Sequence, residues 1–147
     1  MQARRGRHGD AWAAWDRADR WAQLLGPGYR HIQTSFGQAV QGANAVTLGV
    51  DLRRSGEALQ AARALDEDTI VSVPRRSRHL IEVARAYDQH DEGVAVLALL
   101  GKAHRTAPET VSFNGFAKEL LLGLSKRPPV GMTKDVRELC ESVGVAA

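Results

Sequence analysis

The residues with the widest chemical repertoire are His8, His31, His79, His90, His104 and the single Cys140. Imidazole and thiolate hold zinc, or act as base and nucleophile, when several converge from spacings of about two to five residues. These six are scattered along the chain, with no two histidines one helical turn apart. Asp66, Glu67 and Asp68 are consecutive carboxylates in a polar stretch, the pattern of a solvated turn rather than of an acid and base facing each other. Gly26-Pro27-Gly28 lacks the lysine and hydroxyl that follow the glycines of a phosphate loop, and reads as a turn. No nucleophile elbow is present. These residue types predict recognition rather than catalysis, with no catalytic residue, metal ligand or cofactor.

Charge narrows the partner. The formal net charge is +3, but Arg4, Arg5 and Arg7 all precede the first acid, Asp10. Without these three, the 20 basic residues fall to parity with the 17 acids. A neutral body with a short basic tail lacks the clustered basic face of a nucleic-acid binder, so no specific nucleic acid is expected. Within the body, Arg75, Arg76, Arg78 and His79 form the densest basic cluster, at the start of a helix. They read either as a site for an anion or acidic peptide, or as partners of Glu82 and the Asp66 to Asp68 turn.

Those residues need elements to position them. At 44% hydrophobic and 25% charged, the composition is that of a globular domain with a sizeable core. The apolar runs are far shorter than the roughly 18 residues of a spanning helix, and no apolar run follows the N-terminal arginines. A cytoplasmic protein without a membrane partner is expected. No strand alternation competes with helical periodicity.

Leu80, Val83, Ala84 and Tyr87, followed by Val96, Leu100, Ala103 and Pro108, have the spacings of a tetratricopeptide repeat (TPR), a helical hairpin of about 34 residues. Such hairpins stack into a solenoid that presents a concave binding surface. The fold expectation is therefore all-α, with TPR-like stacked hairpins of about 6–7 helices. It comprises a basic tail at 1–9, a helical domain at 10–127, and a Pro-Pro break with a capping helix at 128–147.

The expected helices are Asp10 to Leu25, Ser35 to Arg54 with Ser35 as cap, Glu57 to Leu65, one begun by Pro74, and the hairpin to Pro108. Thr110 to Lys126 follows, with Val111, Phe113, Phe116, Leu120, Leu121 and Leu124 inward. The last helix is capped by Thr133, with Val136, Leu139, Cys140 and Val143 on one face. Tyr87 is expected to be buried between Val83 and Leu100.

Polar residues between core positions of the inner helices are the candidates for a ligand or peptide groove. They are Asn44, Thr47 and Asp51; Arg78, Arg85 and Gln89; and Asn114 and Lys118. Ala11, Trp15 and Ala18 repeat the second-helix spacing, so Asp10 to Leu25 reads as the second half of a hairpin. At 100° per residue, Trp12 and Trp15 lie about 60° apart and Trp21 points opposite Trp12. Trp12, Trp15 and Trp21 are thus expected to take part in an oligomer interface, a homodimer being the simplest closed form.

Phe36-Gly37 through Asp51-Leu52, Ser55-Gly56-Glu57-Ala58-Leu59, the run Arg75-Arg76-Ser77-Arg78-His79-Leu80-Ile81-Glu82-Val83-Ala84-Arg85-Ala86-Tyr87, and Ala107-Pro108-Glu109-Thr110-Val111 carry a family likeness. Over roughly residues 10 to 125 the chain resembles the C-terminal TPR-like region of actinobacterial XRE-class helix-turn-helix transcriptional regulators. The resemblance implies a module that senses a ligand and dimerises, joined in that family to an N-terminal DNA-binding domain. No helix-turn-helix pattern precedes residue 10, so DNA reading is not carried over. The alternative is a stand-alone TPR scaffold that binds a protein partner and is unrelated to transcription.

Overall fold

Helical periodicity accounts for every long element of the computed structural model, which describes residues 7–29 and 36–146. Arg4, Arg5, His31 and the expected cap Ser35 lie outside the described residues. No strand occurs among the described residues, and the all-α expectation holds at that level. They form eight α-helices, and the chain divides into two compact units, 1–70 and 71–147.

The first unit contains α1 (His8–Leu25), α2 (Gln38–Asp51), α3 (Ser55–Ala64) and a 3-10 turn at Glu67–Thr69. Gly26, at φ 84°, closes α1 by donating its N–H to the Gln23 carbonyl, and Pro27 cannot extend the helix. Ala11 and Ala22 are the buried residues of α1, and Trp15 Nε1 donates to the Gln41 carbonyl of α2 at 2.9 Å. Ala11 and Trp12 cluster with Leu48 and Leu52, and Gln38 Nε2 donates to Gln23 Oε1 at 3.1 Å, so apolar packing and two hydrogen bonds hold α1 against α2.

The described part of α2 begins at Gln38 behind Gly37, later than expected, and ends at Asp51, where a left-handed Arg53 (φ 59°) turns the chain. Arg54 N–H donates back to the Gly49 carbonyl at 2.8 Å, which closes that turn. Gly49 is there for space: a Cβ on it would sit 2.9 Å from the backbone nitrogen of Ala58 in α3.

The second unit contains α4 (Val73–Asp88), α5 (Gly93–Thr106), α6 (Pro108–Ser112), α7 (Gly115–Lys126) and α8 (Thr133–Val143). Its core gathers Leu80, Ile81 and Ala84 from α4 with Val96, Leu97, Leu100 and Ala103 from α5. Val111, Ala117, Leu120, Leu121 and Leu124 join from α6 and α7, and Val136, Cys140 and Val143 from α8. Ser77, fully buried, donates its hydroxyl to the Ala103 carbonyl at 2.9 Å. One polar group is thereby satisfied inside the α4–α5 contact, on a carbonyl that also accepts the Ala107 N–H at 3.0 Å.

Four expectations need correction. The helix expected over Thr110 to Lys126 is two helices, because Asn114 leaves helical geometry and its side chain accepts the Ala117 N–H at 3.0 Å, capping α7. Phe113, expected inward, ends α6 instead and is 89% exposed. Tyr87 packs on the edge of the core and is only half-buried. Thr133 is the first residue of α8 rather than its cap, which is Met132.

The end of α8 follows a local rule. Gly144 takes the left-handed conformation (φ 77°), and Val145 N–H reaches the Cys140 carbonyl at 2.9 Å while its side chain is buried. This is a Schellman stop with its hydrophobic contact. It fixes α8 against α7 with Cys140 Sγ 3.9 Å from the Leu121 carbonyl.

Two glycines test the packing by opposite signs. Ala is the better helix former by about 1 kcal/mol, so Gly123→Ala, on an open face of α7, should stabilise by up to that amount. Gly49→Ala should instead destabilise by about 1–3 kcal/mol, since its methyl meets α3 backbone. Urea unfolding of both variants checks the pair; a stabilising Gly49→Ala would contradict the close approach of α2 and α3.

Candidate functional site

On α4, Arg78, Glu82, Arg85 and Gln89 follow one another at four, three and four residues, so they lie on one stripe of the helix. The stripe stands clear of the core-facing Leu80, Ile81 and Ala84. Its centre is built rather than loose. Arg85 Nη1 contacts Glu82 Oε2 at 2.6 Å, and its guanidinium lies 3.7 Å from the centroid of the Phe116 ring of α7.

Burial makes this contact matter. The Glu82 side chain is 4% exposed and that of Arg85 15%. A buried carboxylate is tolerated when a cation pairs with it, and a guanidinium gains further from an aromatic face when water is excluded. Arg85 is therefore held by a charged partner on its own helix and tied to α7 by an aromatic one.

The other candidates of this unit have distinct surroundings. Arg78, at the N-terminal end of the stripe, is exposed. Gln89 is half-buried at the C-terminal cap of α4, where its backbone N–H donates to the Arg85 carbonyl. The Asn114 side chain is engaged as the cap of α7, and Lys118 is half-buried on the same helix. Arg78, Arg85 and Gln89 thus share a stripe, while Asn114 and Lys118 sit on the helix that Arg85 touches through Phe116.

In the first unit, Asn44, Thr47 and Asp51 recur at three and four residues along α2. Asn44 is exposed; Thr47 and Asp51 are half-buried. Thr47 Oγ1 lies 3.4 Å from the Ala43 carbonyl of its own helix. Such back-bonding satisfies a helical threonine without outside help.

The three tryptophans part company. Trp12 and Trp15 are half-buried and meet edge to face, 5.8 Å between centroids at 77°. Trp21 is 65% exposed, with Leu24 and Leu25, one turn on, exposed beside it. Aromatic pairs of this geometry contribute about 0.5–1.5 kcal/mol beyond area burial, so Trp12 and Trp15 are committed within the first unit.

Among the described residues, no group of three or more His, Cys, Asp or Glu converges as metal ligands would. His79 is buried on α4 and His8 and His90 are exposed, far apart in sequence. Burial in the α7–α8 contact raises the Cys140 thiol above its ordinary pKa, with the Glu141 charge adding to it. That disfavours the thiolate, the form that attacks or ligates. No helix is long and apolar enough to cross a membrane among the described residues.

Sequence reasoning missed two members of the α4 cluster. Glu82 appeared there as a partner for the Arg75 to His79 cluster, but its partner is Arg85, a spacing of three visible in the sequence. Phe116 gave no signal beyond an apolar position on α7. No protein-family model matches the chain, and no curated protein or solved structure does either.

The Glu82–Arg85 contact predicts an asymmetry. Arg85→Ala leaves a buried carboxylate without its cation and should cost about 3 kcal/mol. Replacing both, as Arg85→Met with Glu82→Leu, should recover most of that loss, because neither desolvated charge remains. Chemical denaturation of the single and double variants measures it, and a double variant no more stable than Arg85→Ala would refute the coupling.

Proposed function

We propose that the chain is a non-enzymatic interaction and sensing domain of TPR-like stacked hairpins, which binds a peptide or small ligand and self-associates. The observation that carries this reading is the α4 stripe. Arg78, Arg85 and Gln89 stand on a helix whose opposite face is anchored in the core, and Arg85 is held in one orientation by Glu82 and Phe116. Rigid placement of polar groups lowers the ordering cost of binding. The buried small and bulky residues at Ala84, Val96, Leu100 and Ala103 support the hairpin register.

In this reading Arg78, Arg85, Gln89, Asn114 and Lys118 form the ligand face of the second unit, and Asn44, Thr47 and Asp51 that of the first. The resemblance to XRE-class regulators supplies the biological setting, a cytoplasmic sensor whose DNA reading belongs to another domain. Self-association uses Trp21 with Leu24 and Leu25, the exposed apolar ridge of α1, while Trp12 and Trp15 support it from within. An exposed tryptophan contributes roughly 2–3 kcal/mol when buried, enough to favour pairing when leucines join it.

Thermal shift against a panel of acidic, neutral and basic peptides and small metabolites tests the ligand face. A specific ligand raises the melting temperature by linkage, and Arg78→Ala or Lys118→Ala should reduce that rise without changing the melting temperature of the unliganded chain. A rise that is the same in both variants would overturn the assignment of the groove.

Sedimentation at micromolar concentration tests the ridge. The parent should sediment as a dimer, and Trp21→Ser with Leu24→Ser as a monomer of unchanged helicity. A parent that is monomeric throughout would exclude the interface.

A further inference from the structure

We draw no further inference here: the strongest candidate, the basic cluster of Arg75, Arg76 and Arg78 in the first turns of α4, rests on a helix N-terminus with no second feature of the structure pointing to a ligand there.

Discussion

The contact between α4 and α5 is the constraint on which the second unit depends. It is the most extensively packed helix pair, and its centre sets Leu80, Ile81 and Ala84 against Val96, Leu100 and Ala103, all of them nearly or wholly inaccessible. Alanines at 84 and 103 let the two backbones approach, and the Ser77 hydroxyl fixes their register on the Ala103 carbonyl. Burying a leucine contributes on the order of 1.5–3 kcal/mol, so Leu80 and Leu100 outweigh any single surface ion pair on these helices. The remaining helices then have a surface to cover. Val111, Leu121 and Cys140 close over it from α6, α7 and α8.

That anchoring explains how a polar stripe can be presented on α4. A helix held on one face by apolar packing keeps the opposite residues at fixed angles, and the Glu82–Arg85–Phe116 contact extends the fixation to a charged side chain. The same contact has a cost, because two charges lose most of their water. An account based on stability alone would favour apolar residues at 82 and 85. The pair therefore contributes fixed geometry more than net stability.

Much of this organisation was legible in the sequence, and the misses have identifiable physics. The spacing from Leu80 to Ala103 placed the core of α4 and α5 because periodicity reports burial directly. The gap between α6 and α7 escaped because Val111, Phe113 and Phe116 continue an apolar pattern across it; the signal that marks it is Asn114-Gly115, a capping residue followed by a flexible one. Arg53 and Asp91 take left-handed conformations that glycine usually supplies, so the ends of α2 and α4 carried no glycine at those positions to find. The Arg85 to Phe116 contact joins helices distant in sequence, which periodicity does not encode. Of the tryptophans, the 100° rule correctly separated Trp21 from the Trp12–Trp15 pair, because a helix fixes direction even where partners are unknown.

Native-state hydrogen exchange tests the primacy of the α4–α5 contact most directly. Amides that open only on global unfolding exchange slowest, whereas frayed ends and marginally packed helices exchange through local openings. The account predicts that, within the second unit, the slowest amides lie in Leu80 to Ala84 and Leu97 to Leu100, and that Leu100→Ala, at a cost of about 2–5 kcal/mol, accelerates both stretches together. Exchange from α4 and α5 as fast as from the ends of α8, or acceleration confined to α5, would contradict it.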